Sequence, residues 1–270
     1  MKKVIIVFDG SSLPKGALDF AARLNELQPL LLTGVFLPQQ HLATHGEITN
    51  GEVLLDEEGA NEEQLRSLVE QFGKICHSNG IEYRVHERGT AMDIADLEQE
   101  SLFADLIIAS SGLFFEDMEM NVPSSHLEHV LRHTCCPVLL VPEKFEFPES
   151  IVLAYDGSED SVFAIKQFAY LFPELVNKET IIVYANMDEG ADFPYKVQIE
   201  ELVVRHFVHL TLTKIEIDPQ NYFNTWVASK KSPILVSGSY GRSGLSKLFR
   251  KSFARDIIAD HWMPVFIAHK

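Results

Sequence analysis

Cysteine is scarce in this chain of 270 residues: there are three, Cys76, Cys135 and Cys136. No two form a C-x-x-C pair, which removes the thioredoxin-like motif and the common zinc-site spacings, and so few thiols fit a reducing compartment. The vicinal pair Cys135–Cys136 reads as small buried residues at a helix-to-strand junction. Long apolar runs are also missing; none approaches the ~18 residues that a membrane span needs. The opening MKKVIIVFDG has two lysines and an apolar stretch, but that stretch runs only from Val4 to Phe8 and Asp9 follows it. A secretory apolar region is longer and closes on small residues, so this one is expected to be a buried strand, and the protein cytoplasmic with no membrane partner. Positive charge is in deficit, with 23 Lys+Arg against 39 Asp+Glu and a net charge of −16, which speaks against non-specific nucleic-acid binding.

Two nucleotide motifs are absent. Without G-x-x-x-x-G-K-[ST] the chain is not a P-loop ATPase, and without G-x-G-x-x-G after its first strand a dinucleotide-type Rossmann site is not expected. No Ser-His-Asp order or Cys–His arrangement stands out among the 11 histidines, so no catalytic residue is assigned. His126, His129 and His133 share one helix face, but three imidazoles spread over two turns reach a common ion poorly; they read as a surface or interface stripe, as do His206 and His209, and no metal site is expected. The acids from Glu57 to Glu70 read as a solvated helix face.

What the chain has is a repeat. Val4-Ile5-Ile6-Val7-Phe8-Asp9-Gly10-Ser11 is answered by Ile151-Val152-Leu153-Ala154-Tyr155-Asp156-Gly157-Ser158, each leading into a helical pattern. Leu106 to Ser110 parallels Pro233 to Ser237, and Pro137 to Val141 parallels Pro264 to Ala268, both at an offset of 127 residues, whereas the openings are 147 apart. The first half therefore carries about 20 extra residues, placed around Gln39 to Glu63 ahead of a helix near Glu62 to His77. Strands are expected near 3–8, 29–36, 81–87, 105–109 and 137–141, and near 151–155, 180–185, 210–216, 233–237 and 263–268. Their continuous apolar character suits strands buried on both faces, and alternation with helices implies parallel sheets. The expected fold is α/β: two tandem Rossmann-like domains, 1–143 and 149–270, each a five-stranded parallel sheet with helices on both faces. The linker Pro142 to Glu149 brings Phe145 and Phe147 to the domain interface.

The halves differ in charge. Residues 1–150 hold 10 Lys+Arg and 25 Asp+Glu, and residues 151–270 hold 13 and 14. The more neutral half contains the loop Gly238 to Ser252. Its glycines follow a strand, where they permit a tight turn and bring N–H groups near an anion. Arg242, Lys247, Arg250 and Lys251 add cations with no acid between them. Ser252 stands at an N-cap position, and the helix that begins at Phe253 offers free N–H groups and a partial positive charge. Asp156 ends the first strand on the same sheet edge and is an acceptor suited to an adenine amino group or a ribose hydroxyl.

Gly238-x-x-Gly241, nine residues, then Lys251-Ser252 resembles the G-2x-G-9x-G-[ST] signature of the ATP-binding universal stress proteins. The strand ending in Asp156 and the closing Pro-Val strand fit as well, and the resemblance spans nearly the whole chain as two copies. It implies ATP, with Mg, or ADP or AMP as ligand, and dimer-like packing of the copies. It also implies that Asp156 and the backbone near Ala185 face adenine, that Gly238 and Tyr240 lie by the ribose, and that Gly241, Lys251 and Ser252 lie by the phosphates. Lys251 departs from the signature, where glycine is usual; its side chain either obstructs backbone approach to the phosphates or swings out and adds a charge.

In the first half, Ser111, Phe114 and Ser125 fall at the positions of Gly238, Gly241 and Ser252, and Glu116, Asp117 and Glu119 replace the cations. Like charge repels a phosphate, so this half is expected not to bind ATP in the same way and to serve as a packing or partner-binding copy. The expected function is a stress-response protein that senses an adenine nucleotide through its second half, alone or as a homodimer or with a protein partner. The alternatives are an interaction or scaffold protein without nucleotide binding, a slow ATPase, and an adenylating enzyme.

Overall fold

Val4, Ile6 and Phe8 face one side of their strand and Ile5 and Val7 the other, and all five are buried, so this strand needs cover on both faces. The structure, a computed structural model, describes residues 1–8, 12–37, 57–86, 94–112, 115–117, 122–123, 133–185, 192–215, 225–238 and 262–270. In the first half the strands are β1 (Lys2–Phe8), β2 (Leu30–Phe36), β3 (Glu82–Val85), β4 (Leu106–Ser110), a short ribbon of β5 (Phe115–Asp117) and β6 (Val122–Pro123), and β7 (Val138–Val141). The second half supplies β8 (Ser150–Tyr155), β9 (Glu179–Ala185), β10 (His209–Ile215), β11 (Pro233–Ser237) and β12 (Val265–Ile267). The longer helices among the described residues are α1 (Lys15–Leu27), α2 (Glu57–Ser78), α3 (Ile94–Ser101), α4 (Glu159–Leu171) and α5 (Lys196–His206). The ten strands expected from sequence are all present, with bounds within three residues of those read from the apolar runs. The excursion near Gln39 to Glu63 lies mostly outside the described residues, and α2 continues from its end.

Each half repeats one order, and the halves join. The sheet has ten strands in the order β10-β9-β8-β11-β12-β7-β4-β1-β2-β3. Every neighbouring pair is parallel except β12 with β7, where Val265 stands opposite Leu140, Phe266 opposite Leu139 and Ile267 opposite Val138. Each half is the five-stranded parallel sheet expected, and one antiparallel seam joins the two into a single sheet. Two copies related by an approximate two-fold meet along their last strands, so each closing strand gains a partner instead of leaving an open edge.

One apolar layer contains Val4, Ile6, Phe8, Leu153, Phe168 and Phe266 with residues of α1, α2, α4 and α5; the other contains Ile5, Val7, Leu97 of α3, Val152 and Val265. Both layers run through both halves. The linker phenylalanines Phe145 and Phe147 lie 5.4 and 5.1 Å from the Phe20 ring of α1, in the first half. Lys2 reaches across as well, its ammonium donating to the Leu171 carbonyl at the end of α4 and standing 5.9 Å from the Phe172 ring. Burial lowers the Lys2 pKa from its ordinary value, against the opposing pull of Glu174 and Asp105.

Two expectations need correction. The strands are not all buried on both faces: Glu82, Tyr83 and Arg84 of β3 are exposed, and β10 is only partly covered. These are the sheet's two edges, where polar and charged side chains discourage strand addition. The vicinal cysteines also differ. Cys136 is buried and its thiol is pushed up to about 12 mainly by that burial, whereas Cys135 is exposed and donates its N–H to Ser101 Oγ at 2.9 Å. The turn into β7 points one side chain inward and its neighbour out. Among the described residues no helix is long and apolar enough to cross a membrane, and no group of three or more His, Cys, Asp or Glu side chains is placed to hold a metal ion.

Candidate functional site

From β8 the chain moves to one side for β9 and β10 and then to the other for β11, so the strand order reverses at the carboxyl ends of β8 and β11. Ligands of open α/β sheets bind at such a reversal. Three of the residues named from sequence converge there. Asp156 follows directly on β8. Tyr155 pairs with Tyr184, which puts Ala185, the last residue of β9, beside Asp156 one step further on. Leu153 pairs with Val236, so Gly238 emerges level with Tyr155 on the opposite side of β8. Tyr240, Gly241, Arg242, Lys251, Ser252 and Phe253 lie outside the described residues.

Asp156 is half-buried. Its Oδ1 accepts the Ser158 N–H at 2.9 Å, and Ser158 in turn caps α4 by accepting the Ser161 N–H at 3.1 Å. Asp156-Gly157-Ser158 therefore does start a helix, but that task uses one carboxylate oxygen; Oδ2 accepts no hydrogen bond from the described residues. Two glycines let the chain crowd together here. Gly157 has φ +80, and a Cβ on it would lie 2.7 Å from Pro194 Cβ. A Cβ on Gly238 would lie 2.7 Å from Ser161 N and 2.8 Å from the Asp160 carbonyl carbon, both backbone atoms of the first turn of α4. Gly238 thus has a packing requirement of its own, independent of any ligand.

The sequence reading missed the segment that packs on this edge. After β9, Phe193 stacks on Tyr155 with centroids 5.3 Å apart and planes at 15°, and it also meets Tyr184 at 5.3 Å. The Tyr155 hydroxyl donates to the Pro194 carbonyl at 2.9 Å. Burial, with the neighbouring charge of Asp156 adding, pushes the Tyr155 phenol up to about 12, so it remains a neutral donor. The available signal was an aromatic–proline–aromatic run, Phe193-Pro194-Tyr195, just beyond a strand on the binding edge. Tyr155→Phe keeps the ring and deletes the donor; an expected loss of about 1 kcal/mol would appear as a lower urea midpoint at unchanged slope.

The same edge of the first half is built differently. The Ser110 hydroxyl at the end of β4 donates to Glu143 Oε1 at 3.0 Å, and the Gly16 N–H at the start of α1 donates to Glu143 Oε2 at 3.3 Å. The protein's own carboxylate thus stands at this helix start. At the 127-residue offset, Glu143 corresponds to Lys270, whose N–H meets Asp160 Oδ1 at 3.3 Å and whose ammonium lies 3.9 Å from Glu159. The first-half counterpart of the glycine loop contains the β5–β6 ribbon, in which Phe115 opposes Pro123 and Asp117 opposes Val122. Asp9, Phe114, Glu119 and Ser125 lie outside the described residues, as do His126 and His129. His133 is exposed and near Glu98, at 4.0 Å.

No family model matches the chain, and no curated protein matches it. Solved structures do. A universal stress protein from Archaeoglobus fulgidus superposes with a TM-score of 0.72 at 14% identity, covering 100% of this chain and 96% of that one. A protein of unknown function from Pseudomonas aeruginosa superposes at 0.53 and 15% identity, covering 100% of this chain and 92% of that one. At these identities the likeness concerns the fold: the chain shares the tandem α/β architecture of the Archaeoglobus fulgidus universal stress protein along its whole length.

Proposed function

We propose that the chain is a stress-response protein that binds an adenine nucleotide, ATP or its ADP and AMP relatives, at the carboxyl edge of its second half and passes the bound state to a protein partner or a second copy in the cytoplasm. The observation that carries this reading is the difference between two edges of one repeat. In the second half the strand-order reversal presents a half-buried carboxylate, Asp156, whose Oδ2 accepts no hydrogen bond from the described residues, beside Ala185 and Gly238. In sequence, Gly238 runs on into Gly241, Arg242, Lys251 and Ser252, the residues suited to phosphates. In the first half the corresponding edge carries Glu143 and an acidic ribbon. Asp156 fits the base or ribose, Gly238 and Tyr240 the ribose, and Gly241, Lys251, Ser252 and the Phe253 amide the phosphates, with Mg as counter-ion. The bound nucleotide would supply negative charge and a purine face; the residues assigned here bind and orient it. The universal stress protein matched in fold gives the stress-response reading its support.

Calorimetry with ATP, ADP and AMP on the wild type and on Gly241→Asp tests the reading. The carboxylate sets a negative charge and a side chain where backbone must approach phosphate, and an affinity loss of at least about tenfold is expected from a repulsion of ~1.4 kcal/mol or more. Absence of binding by the wild type at millimolar ATP would overturn the proposal. Binding without turnover favours a sensor over a slow ATPase.

A further inference from the structure

We infer that Tyr195 is the stacking platform of this same site and selects a purine nucleotide over a bare polyphosphate; the inference rests on the nucleotide reading above. Tyr195 is 69% exposed, so no packing within the described chain calls for its ring. Its backbone is nevertheless left-handed, with φ 46 and ψ 43, at the N-cap of α5, where it makes no side-chain capping bond. A bulky residue in that conformation is uncommon, and such outliers gather at ligand sites held by surrounding structure.

The surrounding structure is on hand. Pro194 is held by the Tyr155 hydroxyl, Phe193 is stacked on Tyr155, and the Tyr195 carbonyl accepts the Ile199 N–H at 3.0 Å. Tyr195 is therefore fixed between a buried aromatic stack and a helix. Its Cδ2 lies 3.9 Å from where a Cβ on Gly157 would stand, one residue from Asp156. An exposed aromatic face beside a carboxylate oxygen that accepts no hydrogen bond from the described residues matches a purine bearing an amino group: the ring stacks on the base, and Oδ2 accepts from the amine. The glycine at 157 lets the Pro194–Tyr195 segment approach this closely, since a Cβ there would lie 2.7 Å from Pro194 Cβ.

The test measures binding of ATP, ITP and inorganic tripolyphosphate to the full chain as wild type, Tyr195→Ala, Tyr195→Phe and Tyr195→Gly. Loss of the ring is expected to weaken ATP and ITP about tenfold and leave tripolyphosphate unchanged, with Tyr195→Phe within about twofold of wild type. Tyr195→Gly relieves the left-handed backbone, so it should melt no lower than the wild type yet bind ATP as poorly as the alanine variant. ATP binding by Tyr195→Ala equal to wild type, an equal loss for ATP and tripolyphosphate, or a lowered melting temperature for Tyr195→Gly each overturns the stacking role while leaving the nucleotide reading intact. A wild type that binds neither ATP nor ITP overturns both.

Discussion

Gly16→Ala is expected to destabilise the chain by about 3 kcal/mol. Helix propensity alone predicts the opposite sign, because alanine is better than glycine inside a helix by ~1 kcal/mol. The packing decides it. A Cβ on Gly16 would stand 1.9 Å from the Pro142 carbonyl oxygen, 2.8 Å from its carbon and 2.9 Å from Glu143 Cα. All three are backbone atoms, so no rotamer change relieves the overlap. The first turn of α1 would have to lift from the end of β7, weakening the Gly16–Glu143 hydrogen bond and the burial of Ala17, Phe20 and Ala21. Gly34→Ala makes a useful contrast: its nearest neighbours, from 2.9 Å, are ring atoms of Phe72 and Phe36, which can shift. Denaturant midpoints of the two variants should fall in the order wild type, Gly34→Ala, Gly16→Ala. A midpoint for Gly16→Ala at or above that of wild type would show that α1 does not sit this close to Pro142.

The strands were legible in sequence because parallel strands covered on both faces carry unbroken apolar runs, as in Val4 to Phe8 and Ile151 to Tyr155. The repeat was legible for a related reason: the same strand positions recur with the same residue classes. The seam was not. Val138 to Val141 and Val265 to Ile267 read as buried strands, but an apolar run does not name its neighbour, and nothing in either segment distinguishes antiparallel pairing across the halves from closure within one. The candidate site shows the same division. Asp156 and Gly238 stood out because a strand end followed by Asp-Gly-Ser or glycine has a backbone reason to be there, whereas Ala185 was named only through the family resemblance; the register brings the three strand ends together. Glu143 was invisible as an internal anion because a linker carboxylate reads as solvated until Gly16 and Ser110 are seen to converge on it. Phe193 and Tyr195 were missed because their roles depend on how the chain turns back over β8, which no periodicity encodes.

Phe266→Ala carries the other large effect and tests whether the two halves unfold as one. Phe266 is fully buried, meets the rings of Phe168 and Phe172 edge-on at 5.4 and 5.7 Å, and stands opposite Leu139 in the seam. Truncating it removes an aromatic side chain from a packed layer, at a cost of about 3–5 kcal/mol. That layer does not stop at the half boundary: it includes Leu139, Val141 and Phe20 of the first half. Lys2 adds a tether by donating to the Leu171 carbonyl beside Phe172. A shared core and a shared sheet predict one cooperative transition. The chain supplies the probes, since both tryptophans, Trp226 and Trp262, are in the second half, so fluorescence follows that half while far-ultraviolet circular dichroism follows the whole chain. In Phe266→Ala the two midpoints should fall together. Separation of the curves, with part of the dichroism still melting at the wild-type midpoint, would mean that the seam joins two independently stable domains. The coincident result has a consequence for regulation. A ligand held at the carboxyl edge of β8 and β11 would then stabilise the first half as well, because no part of the sheet could open without the rest.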